Sequence, residues 1–219
     1  MREPRSLLDV APVMPMLTVR TAAEVAAVVP TARAITAAGL PLVQIALDGA
    51  AAYDAIESLA THAPEVVVGA GALTDIDQPA LARAAGAEFL VATGGTPALC
   101  AALRATELPH LPGASTTLEA LRLVEQGYTD MVFPAAAAGG VRQLRALAAF
   151  VPVARFCVSG TITAAELPTY LGLANVGCVV AEWVAPSDAI RRRDWDRIRR
   201  LAGVALTLGT PPVTAVAAL

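Results

Sequence analysis

Eight short apolar runs alternate with helical stretches along the 219 residues, and this alternation predicts an α/β fold, a single (β/α)8 TIM barrel. Two further observations sharpen the prediction. The strand-like runs are apolar throughout rather than on alternate residues, as strands covered on both faces must be, and no hairpin turn signal joins them, which makes them parallel. Eight strand–helix units in about 200 residues, with short connections, favour a closed ring over an open sheet.

In chain order, residues 13–17 read as the first strand and 21–38 as its helix, with Thr21 as N-cap, Glu24 three residues on and Gly39 as the stop. Strands at 42–47, 65–69 and 88–92 follow, each with a helix after it, at 50–62, 75–85 and 96–106. The fifth strand is only 110–111, and its helix at 116–126 opens with Thr116 and Glu119 in capping-box spacing and ends at Gly127. Strands at 130–133, 154–158 and 176–181 complete the ring, with helices at 140–150, 164–171 and 194–206. The division predicted is a barrel over residues 1–208 and a tail over 209–219, whose Pro211-Pro212 cannot continue a helix.

The chain is 56% hydrophobic with a mean hydropathy of +0.59, high for a protein outside a membrane, yet alanine carries much of that and no window of about 18 uninterrupted apolar residues exists. With no signal-peptide layout at the start, the expectation is a cytoplasmic protein that does not contact a membrane. Net charge is −3, and the one basic cluster, Arg191-Arg192-Arg193 with Arg197, Arg199 and Arg200, is interleaved with Asp188, Asp194 and Asp196 in what reads as one terminal helix. That reads as a solvated face of ion pairs rather than a nucleic-acid surface. Cys100, Cys157 and Cys178 have neither metal nor disulfide spacing, and no metal or other cofactor is expected. His62 and His110, placed on a helix and at the start of a strand, read as structural. All 16 residues counted as lysine plus arginine are arginine, so no side-chain amine is available to form an imine.

Chemistry in such a barrel belongs to the C-terminal strand ends. Here they carry Thr18, Arg20, Gln44, Asp48, Ala72, Thr93, Ser115, Phe133, Pro134, Ser159 and Glu182, a rim thin in convergent acids, bases and cations. Those same ends hold recognisable sequence. VVVGAGAL at 66–73 resembles I-V-G-A-G-T-V, HLPGASTTLEAL at 110–121 resembles P-G-x-S-T-x-x-E, VFPAAAAGGVRQLRAL at 132–147 resembles F-F-P-A-E-x-x-G-G-V-K-x-L-x-A, and RFCVSGTI at 155–162 resembles R-F-C-P-T-G-G-I. These four motifs, in register from about residue 11 to 205 with one residue fewer just before Phe133, are similar to those of the 2-keto-3-deoxy-6-phosphogluconate (KDPG) and 4-hydroxy-2-oxoglutarate (KHG) aldolases.

The resemblance implies a trimeric barrel that cleaves a phosphorylated 2-keto acid to pyruvate and glyceraldehyde 3-phosphate. It also implies an imine-forming lysine on strand six, a proton-moving glutamate on strand two and glycine-rich phosphate loops after strands seven and eight. Carried over by register, the lysine falls on Met131 and the glutamate on Gln44, neither of which can do that work. The strand-two arginine that meets the substrate carboxylate falls on Asp48, the G-A-G-T threonine on Ala72 and the strand-four proline on Thr93, with Phe133 and Pro134 beside them as pocket candidates. The phosphate loops fall on Ser159, Gly160 and Thr161 and on Val180, Ala181 and Glu182. A glutamate about 4 Å from a phosphate charge costs roughly 4 kcal/mol at an effective dielectric of about 20, about a thousandfold in binding. The reading that follows is a homotrimeric family member, inactive as an aldolase, serving as a binding or structural subunit for a ligand the sequence leaves unnamed. Its alternatives are a lysine-independent lyase using Asp48, Glu182, Gln44, Arg20 and Thr18 on a small keto acid or other polar ligand, and an engineered trimeric scaffold.

Overall fold

The structure, a computed structural model, describes residues 6–136 and 138–209. Eight parallel strands form the sheet: β1 (Val13–Thr18), β2 (Leu42–Ala46), β3 (Val67–Leu73), β4 (Phe89–Ala92), β5 (His110–Leu111), β6 (Asp130–Pro134), β7 (Arg155–Ser159) and β8 (Val176–Ala181). The hydrogen-bonded order runs β5-β4-β3-β2-β1-β8-β7-β6. The ring closes between β5 and β6 through a parallel bridge of Gly113 with Val132, where the Val132 N–H donates to the Pro112 carbonyl at 2.8 Å and the Ala114 N–H to the Val132 carbonyl at 2.9 Å. The result is the expected (β/α)8 barrel.

Helices α1 (Ala22–Thr36), α2 (Ala51–His62), α3 (Gln78–Ala84), α4 (Pro97–Ala105), α5 (Thr117–Glu125), α6 (Gly140–Phe150) and α7 (Leu167–Leu171) each follow their strand. The capping boxes expected at Thr21 with Glu24 and at Thr116 with Glu119 are both formed. After β8 come two helices rather than one, α8 (Ser187–Arg192) and α9 (Trp195–Gly209). Arg193 breaks the run: its φ of 56° is left-handed, and the Asp194 side chain then accepts from the Arg197 N–H to start α9. The arginine cluster therefore spans two helices, tied by Arg197–Asp188 at 2.6 Å, with Arg199–Asp196 at 3.1 Å inside α9. Helix α9 includes Gly209, so the expected tail loses its first residue to the barrel, and its two prolines lie outside the described residues.

Two apolar layers fix the direction of every strand side chain. Met14, Leu42, Phe89, Val91, Leu111, Val132, Cys157, Cys178 and Val180 meet one another along the barrel axis, and Leu8, from a short 3-10 helix (Leu7–Asp9), plugs the N-terminal end. Asp9 of that plug is ion-paired with Arg155, which also lies 4.0 Å from Asp130. The intervening strand residues pack outward against the helices, and this outer layer holds most of the apolar core.

The layering corrects two expectations. Met131 and Phe133 are fully buried in the outer layer, Phe133 in edge-to-face contact with Phe156 at 6.0 Å, so neither faces the axis. Val132 does. Strand side chains alternate sides, and the single residue missing from this strand leaves Val132, not Met131, on the face a catalytic lysine would need.

Candidate functional site at the barrel mouth

Gln44 is the polar side chain buried deepest along the axis, 1% exposed, between Leu42 and Ala46 on β2. Neither its Oε1 nor its Nε2 has a hydrogen-bond partner among the described residues. It sits against the next strand, where a Cβ at Gly71 would collide with Oε1, so only glycine leaves the amide its space. A buried, unsatisfied amide costs about 1–3 kcal/mol, and is the kind of local penalty that collects at sites meant for a ligand.

One residue further, Ala72 is left-handed at φ 58°, at a bulge that shifts the β3–β4 register, and its methyl is exposed. It offers no polar side-chain group to the site. Thr93, also exposed, donates its N–H to the Leu73 carbonyl and crowds Gly113 with its own carbonyl, so it shapes the rim through its backbone. Pro134 and Ser159 end β6 and β7 side by side in register, both half-buried.

The charges of the mouth gather on the β1–β2 side. Asp48 does not stand alone: Arg20 donates through Nε to its Oδ2 at 2.7 Å, and a terminal guanidinium nitrogen lies 2.6 Å from the same oxygen. Sequence reasoning, taking Asp48 by itself, sees a reversed charge. The fold supplies the missing cation from the neighbouring loop, so the corner carries a guanidinium after all. Both side chains are more than half exposed, and the pair itself adds about 0–1 kcal/mol to stability.

The loops after β1, β5 and β7 are each sealed by an acid of their own helix. Glu24 accepts from the Arg20 and Thr21 N–H groups at 2.8 and 3.1 Å, Glu119 from Ser115 and Thr116 at 2.8 and 2.9 Å, and Glu166 from the Thr163 N–H and hydroxyl at 2.9 and 2.7 Å. The Arg20 N–H is the main reason the Glu24 carboxyl lies below the usual carboxylate value, and the Thr163 N–H does the same for Glu166. These donors are spent inside the protein.

At the end of β8, buried Ala181 is followed by exposed Glu182, which makes no ion pair among the described residues. Glu182 and Trp183 stand between two cavities. One, of about 330 Å³, is also lined by Thr18, Glu24, Ser187 and Arg191. The other, of about 380 Å³, is lined by Gly160, Thr161 and Arg197. The indole N–H of Trp183 is buried without an acceptor. His62 and His110 lie apart from all this. The His62 ring nitrogen Nδ1 is 3.0 Å from the Ser58 carbonyl, and His110 Nε2 is 3.0 Å from the Tyr128 hydroxyl at the opposite end of the barrel. No group of three His, Cys, Asp or Glu side chains able to hold a metal ion forms among the described residues.

A closed (β/α)8 ring with an unsatisfied amide below a charged C-terminal mouth belongs to the class of barrels built around a small-molecule site. The sequence pattern described as KDPG and KHG aldolase matches residues 5–201, and the chain belongs to that family. Similarity to individual relatives is of the same extent. The 2-dehydro-3-deoxy-phosphogluconate aldolase of Pseudoalteromonas atlantica is 38% identical over 192 residues, 87% of this chain and 88% of that protein. The KHG/KDPG aldolase of Escherichia coli K12 is 36% identical over 198 residues, 90% of this chain and 92% of that protein. Among solved structures, the KDPG aldolase of Legionella pneumophila, with pyruvate captured as a covalent carbinolamine, superposes with a TM-score of 0.85 at 32% identity, covering 91% of this chain and 96% of that one.

These findings overturn the expectation of an inactive subunit or an assembly block. Relatives 35–38% identical over 87–93% of the chain bear the names of aldolases, which points to an active aldolase. The lack of lysine remains a fact of the sequence and bears on how such a reaction runs, not on whether the chain belongs with enzymes.

Proposed function

We propose that this chain is an aldolase that cleaves a 2-keto acid to pyruvate and an aldehyde by way of an enolate rather than an imine. The match of residues 5–201 to aldolases carries the reading, because it spans every loop of the mouth. A base takes the proton of the hydroxyl on C4, the C3–C4 bond breaks to release the aldehyde, and the electron pair spreads over C3 and the C2 oxygen. C3 then takes a proton to give pyruvate. The Arg20 guanidinium, held by Asp48, supplies positive charge for the keto-acid head. The buried Gln44 Nε2 is a donor without a partner, suited to an oxygen on which charge develops. To Asp48 Oδ1, which the Arg20 contacts leave unengaged, we assign the proton. Around the same ring, Pro134, Thr93 and Ala72 act as shape, and Met131 and Phe133 as packing.

Pyruvate release from KDPG, its unphosphorylated counterpart and 4-hydroxy-2-oxoglutarate tests the reading. Turnover of at least one acid is expected, and it should survive prior treatment of the protein with pyruvate and borohydride once both are removed, since borohydride fixes an imine to the protein but not an enolate. Arg20→Ala and Asp48→Ala should each lower kcat/KM by about a hundredfold, the order of one lost electrostatic stabiliser. No release from any of the three would overturn it.

The assembly belongs to the same reading as a homotrimer. Leu118, Leu121, Phe150 and Val153 support it, since all are large apolar side chains left 42% or more exposed. No helix among the described residues is long and apolar enough to cross a membrane. A cytoplasmic setting is supported by Cys100, Cys157 and Cys178, all buried as free thiols.

A further inference from the structure

Glu182 stands where two cavities meet at the mouth, with no cation of its own. Of the positive groups nearby, Arg197 is held by Asp188 at 2.6 Å, while Arg191 of α8 lines the first cavity, where it faces two carboxylates, Glu182 and Glu24. The loop after β7, which borders the second, has its Thr163 N–H and hydroxyl bound by Glu166. An anion entering the first cavity meets two carboxylates against one guanidinium, and one entering the second meets Glu182 beside an arginine already paired. A hydroxyl meets a free carboxylate acceptor in Glu182 and a free indole donor in Trp183, whose Nε1 is buried without a partner.

The geometry points to a distal subsite for an uncharged, hydroxylated tail, in which Glu182 accepts from a substrate hydroxyl, Trp183 Nε1 donates to a substrate oxygen, and a terminal phosphate is rejected. The substrate class is then an unphosphorylated 2-keto-3-deoxy sugar acid. This departs from the relatives named for phosphogluconate, and it rests on the aldolase reading for the chemistry at the other end of the molecule.

Two readouts separate the claims. Titration calorimetry with gluconate and with 6-phosphogluconate, neither of which can be cleaved, measures the subsite without turnover. Pyruvate release from the unphosphorylated and phosphorylated 2-keto-3-deoxygluconates measures the reaction. Wild type should favour the unphosphorylated member of each pair by about tenfold or more, the scale of one like charge at partial exposure. Glu182→Gln, which keeps size and hydrogen bonding but removes the charge, should move both ratios toward the phosphorylated member by about tenfold. Trp183→Phe should weaken gluconate binding by about fivefold through the loss of one hydrogen bond. Preference for 6-phosphogluconate, no binding of either acid, or unchanged ratios in Glu182→Gln would overturn the subsite. Preferential gluconate binding with no pyruvate release would leave the subsite standing and remove the aldolase reading.

Discussion

On β6, Met131, Val132 and Phe133 alternate between the helix layer and the axis, and only Val132 looks inward. A lysine grafted at each position therefore meets a different fate. In Val132→Lys the ammonium enters the apolar axis, where desolvation depresses its pKa and favours the neutral nucleophile, and the flexible arm can reach toward the mouth. Pyruvate with borohydride should then label that variant covalently. In Met131→Lys the charge is forced among the α6-facing side chains with no partner, costing several kcal/mol. It should lower Tm sharply and take no label, and labelling of Met131→Lys instead of Val132→Lys would show that the strand faces the other way. Which of the two matched a relative's lysine could not be settled along the chain, because one residue is missing there and a one-residue slip exchanges the faces. The Arg20–Asp48 contact was hidden for a different reason: it joins loops 28 residues apart that the pairing of β1 with β2 sets side by side.

At the level of elements, the mouth owes its shape to acids that seal their own loops. Glu24 and Glu166 both titrate below the usual value of 4.5 when folded, because backbone N–H groups bind the ionised form. A depressed folded pKa stabilises the protein above the unfolded value and is lost as pH falls through the folded one. Tm should therefore hold steady above roughly pH 5 and fall below it, and Glu24→Gln should flatten part of that fall. An unchanged acid slope in Glu24→Gln would remove this role. The caps at Thr21 with Glu24 and Thr116 with Glu119 were legible because threonine followed by glutamate three residues on is a local signal, and so were the strands, whose apolar runs are unbroken. The start of α7 was placed early, at Ala164, because the Thr163–Glu166 pair closes a turn ahead of the helix. The break between α8 and α9 was not legible, since an arginine in a left-handed conformation gives no warning in composition. Nor was the extension of β3 through Gly-Ala-Gly, a stretch that reads as loop until Gln44 is seen to need the room.

The whole molecule leaves apolar side chains facing outward on α5 and at the end of α6 and just beyond, and burying them against other copies is the simplest way to remove that surface from water. Light scattering after size-exclusion chromatography should give three times the 22.3 kDa chain mass. A single-chain mass would remove the trimer and leave the subsite and its chemistry untouched.

The plug beneath the barrel has a consequence in time rather than space. Asp9 and its partner Arg155 lie 146 positions apart, so the ion pair beneath the barrel cannot form until β7 has been synthesised. Contacts of such long range are slow to form, and the base of the ring stays unstoppered through most of synthesis. Sealing the floor is thus among the last acts of folding, and until it happens the sulfur-bearing side chains of the axis, Met14, Cys157 and Cys178, stay open from below.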